Sequence, residues 1–336
     1  MKRDAQIKSF LEASGWANAT RSPLSGDASF RRYERLSCGN TSAILMDAPP
    51  TSENLRAYIG VARLLSKHGY STPEILANDE AGGLAVIEDF GDDTYTRVLD
   101  LDVANEDTLY TSALDILIDI HRHPSLGQLL PEYDDIRFLS EVALFVDWYL
   151  PAIHGKDIPA EARAEFLELW EPLLLVAREV PDRIVLRDFH AGNLMVLKNR
   201  EGLRACGLLD FQDAVFGPVT YDIVSLLEDA RRDVSRELSN RLIRRYLDAF
   251  TTLDHDMFSA SYAVLGAQRA MKIIGIFTRL DRRDRKPNYL LHIPRVWHWL
   301  RNDLTHPTLA PIDAWLLREL PMVEQLTPHS LTTKVS

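Results

Sequence analysis

The spacing of hydrophobic residues changes near residue 90. Before that point, short runs of strand length alternate with two helical segments. Ile7, Phe10 and Leu11 fall on one face of a helix over residues 4–14, and Gly15 follows as its stop. From the glycine turn Ser25-Gly26-Asp27 the chain runs into a strand with Phe30, Arg32, Glu34 and Leu36 on one face. Residues 42–47 form a second strand across Cys38-Gly39-Asn40, ended by Pro49-Pro50. Ser52 is placed to cap a helix over residues 53–67 with Leu55, Ile59, Ala62 and Leu65 inward, and Gly69 lies just past its end. Residues 74–77 and 84–88 read as further strands.

Beyond Glu88-Asp89-Phe90-Gly91-Asp92-Asp93 the period becomes helical. Residues 105–123, 135–149, 159–179, 220–229, 235–251, 257–279 and 294–303 repeat apolar residues at i, i+3, i+4 and i+7. A short helix over 312–320 and a proline-interrupted, loose tail close the chain. The pattern predicts an α+β, bilobal fold: a small strand-rich lobe over 1–88, a connector at 89–93, and a larger helical lobe over 94–336.

One stretch breaks the helical series. In Ile184 to Asp213 three polar residues stand at the ends of apolar runs: Asp188 after Ile-Val-Leu-Arg, Asn193 before Leu-Met-Val-Leu, and Asp210 after Gly-Leu-Leu. The two runs flanking residues 198–204 have strand length and read as a hairpin, expected in the larger lobe and opening into the cleft. Its loop would carry Asp188 and Asn193 towards Asp210. Two carboxylates and one amide oxygen suit one proton acceptor and one hard divalent cation such as Mg²⁺, which keeps waters and uses few protein ligands. Phosphoryl transfer needs little else from a protein than such alignment and charge neutralisation. Asp188 is therefore the candidate base, with Asn193 and Asp210 the candidate metal ligands.

Composition narrows the class. A chain of 336 residues exceeds the usual size of one core, and a hydrophobic share of 46% with 26% charged residues is that of a globular protein. The net charge of −11 argues against a nucleic-acid groove. Two cysteines, Cys38 and Cys206, provide neither a disulfide framework nor metal-ligand spacing. The N-terminal residues lack the apolar core of a signal peptide, and no uncharged apolar run reaches the roughly 18 residues of a membrane span. A cytoplasmic protein without membrane or nucleic-acid partners is expected.

The motifs Asp188-Phe189-His190-Ala191-Gly192-Asn193 and Asp210-Phe211-Gln212-Asp213, with Pro218-Val-Thr-Tyr-Asp222 following, resemble the aminoglycoside-phosphotransferase-like kinases. That resemblance implies a protein-kinase-like fold, ATP and Mg²⁺ as cofactors, Asp188 as base, and His190 and Asp222 as supports of the catalytic loop. It also sets Ser29, Phe30, Arg31 and Arg32 at the phosphate-covering turn and Glu88, Asp89 and Phe90 at the adenine-reading connector. Two departures stand out. Leu186 replaces a histidine common two residues before the base, and residues 42–47 lack the phosphate-pairing strand lysine, leaving Arg31 or Arg32 to supply the charge. Only nine residues, Phe211 to Val219, separate Asp210 from Thr220, too few for a peptide-binding activation loop.

Longer blocks, among them Gly26 to Tyr33, Phe145-Val-Asp-Trp-Tyr-Leu150 and Gln268 to Leu280, look like the bacterial anomeric sugar kinases of cell-wall recycling. These imply phosphorylation of the C1 hydroxyl of N-acetylmuramate, N-acetylglucosamine or both, and a functional link to a sugar-1-phosphate nucleotidyltransferase. A sugar pocket needs an aromatic face, polar groups and, for an acidic sugar, a cation. Glu141, Asp147, Trp148, Arg269 and Lys272 are the candidates. A kinase of another small alcohol, such as an aminoglycoside or a choline-like acceptor, and a nucleotide-binding pseudokinase are the alternatives.

Overall fold

The structure, a computed structural model, describes residues 2–24 and 30–320; the glycine turn with Ser29 and the tail after Leu320 lie outside the described residues. Its strands are β1 (Thr20–Pro23), β2 (Arg32–Cys38), β3 (Thr41–Asp47), β4 (Ile75–Asp79), β5 (Leu84–Glu88), β6 (Asp182–Val185), β7 (Leu194–Val196), β8 (Cys206–Leu208) and β9 (Val215–Pro218). The chain divides into two compact units, residues 1–112 with 192–213, and residues 113–191 with 214–336.

In the first unit an antiparallel sheet has the order β1-β2-β3-β5-β4. Leu36, Ala43, Leu45, Leu84 and Val86 gather on one face with Ile7 and Leu11 of α1 (Lys2–Ala13). β1 was not anticipated. Its residues Thr-Arg-Ser-Pro are all exposed on the sheet edge, where Pro23 is tolerated and no apolar alternation exists to be read. Helix α2 (Leu55–Lys67) starts later than expected: Asn54, not Ser52, caps it by accepting from Ala57 N at 3.1 Å. Glu53 is thereby left outside the helix. α3 (Tyr95–Leu101) follows the connector.

The expected hairpin forms as β7–β8, with Leu194 opposite Leu208. It belongs, however, to this first unit and not to the larger helical one. Leu208 N donates to Ser71 O and Val196 N to Asp93 O, both at 2.8 Å. Gly207 lies against Phe90 so closely that a Cβ there would meet the ring at 2.8 Å. These contacts also draw the stretch after residue 93 into the first unit, so the compact units do not divide at 88 and 94. Residue separation hides this, because the contacts join segments more than a hundred positions apart.

The chain enters the second unit within α4 (Glu106–His121) and continues through α5 (Asp135–Leu144), α6 (Leu150–His154), α7 (Ala160–Ala177), α8 (Thr220–Leu227), α9 (Arg236–Ala249), α10 (His255–Asp284), α11 (Ile293–Asp303) and α12 (Ala310–Glu319). The helical periods thus form helices close to their expected ends. Helix α10, 30 residues long, runs through a core that includes Phe138, Phe145, Trp170, Met271, Ile274, Leu300 and Trp315. At Gly275 a Cβ would meet the Leu144 carbonyl carbon at 2.4 Å, so glycine is what lets α10 approach the end of α5. The expected single helix over 135–149 is broken at that level. Phe145–Tyr149 forms a π-helical turn in which Leu150 N donates to Phe145 O. Pro151 explains it: the ring has no N–H for the carbonyl of Asp147 and would clash with it in a regular helix. No helix among the described residues is long and apolar enough to cross a membrane.

Behind α10 two acids share a buried site. Glu228 and Asp303 are hydrogen-bonded to each other, with Tyr262 also bonded to Glu228; burial pushes Glu228 up to about 7 and Asp303 well above the usual carboxylate range. Both folded-state pKa values exceed those of the unfolded chain. Their contribution to stability is therefore complete below about pH 4 and lost as pH rises through the folded values. We predict that the urea midpoint falls as pH rises from about 4 through about 7, and that Asp303→Asn flattens this part of the profile. An unchanged slope in the variant would show that the pair is not its source.

Candidate active site

Asp188 lies just beyond β6, which pairs with β9 in the second unit. As the chain leaves the strand, Leu186 N and Arg187 N both donate to the Asp222 carboxylate, at 2.6 and 2.9 Å. Asp188 N then donates to Leu186 O at 2.9 Å, and Ser225 Oγ to Arg187 O at 3.3 Å. Asp222 and Ser225 are three apart on α8, so one helix face holds the turn. Arg187 takes φ +71°, a conformation that costs a residue with a Cβ about 1 kcal/mol. Burial raises the Asp222 pKa to about 7, against the two amide donors that favour its charged form. His190 is buried with Nδ1 4.0 Å from Asp229, and burial outweighs that carboxylate and lowers its pKa, so a neutral ring lines the loop at neutral pH. Leu186, where the histidine was expected, is buried in apolar surroundings.

The Arg187 side chain reaches a network that joins two of the expected substrate residues. Its Nη2 pairs with Glu141, and its guanidinium lies 5.4 Å from the Tyr133 ring centre. Glu141 also accepts from Tyr133 Oη at 2.5 Å and pairs with Lys272 Nζ at 3.1 Å; that ammonium donates to Tyr221 Oη at 3.1 Å. Burial opposes charge at all three ionic groups, but their mutual attraction prevails: Glu141 is held below the usual carboxylate range, and Lys272 and Arg187 are raised. The other substrate candidates lie apart from this network. Asp147, on the π-helical turn, is exposed and pairs with Arg163 at 2.7 Å, Trp148 beside it is half-buried, and buried Arg269 donates to Glu228 O at 3.4 Å.

In the first unit the hairpin brings Asn193 and Asp210 together: Asn193 O accepts from Leu209 N at 2.9 Å. Asp210 has φ +57°, and the next residue, Phe211, stacks on Tyr58 of α2 with ring centres 5.0 Å apart. Asp210 Oδ1 receives Arg31 Nη2 at 2.9 Å and Gln212 Nε2 at 3.1 Å. Arg31 also donates to Gln212 Oε1 at 2.5 Å and pairs through Nε with Glu53 at 3.3 Å, while the other Glu53 oxygen accepts from Phe30 N at 3.1 Å. Of the two candidate arginines, Arg31 is buried beside Asp210 and Arg32 is exposed, opposite Asp47 in the sheet. In the connector, Glu88 pairs with Arg200, Asp89 with Arg35 at 2.7 Å, and Phe90 covers Gly207. No group of three or more His, Cys, Asp or Glu able to hold a metal occurs among the described residues. One carboxylate and one amide suit a hard cation that takes its other ligands from phosphate and water.

Residues 20–257 match the phosphotransferase enzyme family, well over half of the chain. The chain belongs to the phosphotransferase enzyme family. An N-acetylmuramate/N-acetylglucosamine kinase of Caulobacter vibrioides is 37% identical over 96% of this phosphotransferase and 98% of its own length. A kinase of the same name from Pseudomonas aeruginosa is 36% identical, over 95% and 94%. Among solved structures, a choline kinase of Streptococcus pneumoniae superposes with a TM-score of 0.62 at 14% identity, covering 90% of this chain and all (100%) of its own. An ADP-bound aminoglycoside phosphotransferase does so at 0.57 and 17%, covering 89% and 97%. These likenesses show the kinase-like α+β fold.

Three residues at the site of this phosphotransferase were not singled out from sequence: Arg187, Glu53 and Gln212. Arg187 carried a signal, a charge ending the apolar run Ile-Val-Leu. Glu53 and Gln212 carried none, because their partner Arg31 lies 22 or more positions away. Asp222→Ala should orphan two amides at the turn, each costing about 1–3 kcal/mol. We predict a matching loss in urea denaturation; stability equal to the parent would mean that the turn does not depend on Asp222.

Proposed function

We propose that this phosphotransferase moves the γ-phosphoryl group of ATP to the C1 hydroxyl of N-acetylmuramate, N-acetylglucosamine or both. The observation that carries the acceptor is the near full-length similarity, at 33–37% identity, to four kinases that all bear those two sugars in their name. A second observation favours it over a cationic alcohol: Glu141 is already taken by two cations, Arg187 and Lys272, and is no receptor for a third.

In this reading Asp188 accepts the proton of the sugar hydroxyl as its oxygen bonds to the γ-phosphorus, and the bond to the bridging oxygen breaks to release ADP. Asp222 and Ser225 hold the turn that presents it. Asn193 and Asp210 would hold Mg²⁺, which supplies charge neutralisation at the phosphate oxygens. Arg31, kept in place by Glu53, takes the part of the missing strand lysine; Phe30 and Ser29 complete the phosphate-covering turn, and Arg32 contributes charge from the sheet surface. The backbone of Glu88, Asp89 and Phe90 reads the adenine, since their side chains are engaged elsewhere. The product, a sugar 1-phosphate, suits a nucleotidyltransferase, and free Cys38 and Cys206 suit a reducing cytoplasm.

Incubation with ATP, Mg²⁺ and a panel of hexoses and amino alcohols should give ADP only with N-acetylated sugars; turnover confined to other alcohols would sink the acceptor assignment. Asp188→Asn should lower kcat by about 10²–10⁴ with ATP binding retained, whereas undiminished phosphorylation would remove Asp188 from the chemistry. For Arg31→Met we expect the Kd for ATP, read by titration without acceptor, to weaken about tenfold or more. An unchanged Kd would show that Arg31 serves the protein and not the phosphates.

A further inference from the structure

We propose that Arg187 and Lys272 form a carboxylate-recognising pair by which the enzyme favours an acidic acceptor sugar over its neutral counterpart, an inference that rests on the acceptor class proposed above. N-acetylmuramate differs from N-acetylglucosamine by a lactyl ether ending in a carboxylate. A site that tells them apart needs cationic donors beyond those its own carboxylates neutralise.

The network around Glu141 has that composition. Two cations face one carboxylate, and the remaining neighbours, Tyr133 and Tyr221, are neutral phenols. Asp188 lies within electrostatic reach of both cations, so the pair sits beside the proposed base and shares part of its charge balance with it. The guanidinium is not saturated either: Arg187 Nε is buried without a hydrogen-bond partner. The three side chains keep 11–16% of their surface exposed, so the pair is not sealed from solvent. An unpaired donor in such a place is costly, and a ligand carboxylate at the exposed part of the pair would add a charge-assisted bond to the guanidinium or the ammonium.

The backbone supports the same reading. Arg187 holds φ +71°, where glycine or asparagine would sit with less strain. An arginine in that conformation brings its guanidinium to Glu141 while its amide is pinned by Asp222. Glu141 orients the two cations without cancelling both. It prepares the pair for a second carboxylate, and it keeps Lys272 in place when no acceptor is present.

The test compares kcat/KM for N-acetylmuramate, its neutral methyl ester and N-acetylglucosamine in the full-length parent, Lys272→Met and Lys272→Arg. The parent should prefer the acid over its ester by about tenfold or more, the size of one lost charge-assisted hydrogen bond. In Lys272→Met this preference, and the ratio of N-acetylmuramate to N-acetylglucosamine, should fall by a similar factor, and Lys272→Arg should restore much of it. The proposal is overturned if the parent treats acid and ester alike, or if Lys272→Met slows all three sugars by one common factor, as a purely structural or phosphate-contacting lysine would. The ester comparison needs no variant, so a misfolded Lys272→Met leaves that decision intact. Should the parent phosphorylate none of the three, the acceptor assignment itself fails and this inference falls with it.

Discussion

The Asp222 carboxylate accepts two consecutive backbone amides, from Leu186 and Arg187, at the point where β6 gives way to the loop. Much of the candidate site in the second unit depends on that pair of bonds. They hold Arg187 in a conformation its side chain disfavours, and so decide where the next residue, Asp188, begins its side chain. They also direct the guanidinium of Arg187 to Glu141. A carboxylate buried this deeply would ordinarily be protonated; two amides aimed at it are the reason a charged form can be kept at all.

The candidate site of the first unit is arranged on the same plan, with one carboxylate and one arginine as its organising contact. Asp210, again a non-glycine residue with positive φ, follows the hairpin, and Arg31 bridges it to Glu53. The start of α2 matters here for a local reason. With Asn54 as cap, Glu53 remains outside the helix, so one of its oxygens can meet the Phe30 amide while the other meets Arg31. A chain of net charge −11 thus sets the buried Arg31 and the half-buried Arg187 and Lys272 against carboxylates of its candidate site. The charge of the whole protein says little about the charge of its site.

In the second unit, α10 is the element against which those side chains are set. Its approach to α5 is possible because Gly275 meets the Leu144 backbone without a Cβ, and the π-helical turn that follows absorbs the defect introduced by Pro151. Lys272 lies one turn from Gly275 on this helix, and its ammonium meets Glu141 of α5. The close contact of two backbones and the pairing of Glu141 with Lys272 thus lie one turn apart on the same two helices.

Much of this was legible in the chain itself. Period-3.6 runs mark nearly every helix of the second unit, β5 has its expected ends, and the hairpin with Asn193 and Asp210 at its two ends follows from turn residues between apolar runs. The motif around Asp188 and Asp210 points to phosphoryl transfer because those residue types, at those ends, suit a base and a hard cation, and the family match agrees. What tertiary structure decided was partnership. It joined the hairpin to residues 71 to 93, set Arg31 and not Arg32 beside Asp210, turned Asp147 outward, and brought Arg187, Glu141 and Lys272 into one network. Local pattern records which face of an element is apolar, and that is enough to make the element. Which two charges meet depends on how elements far apart in the chain pack and on a glycine that lets helices close.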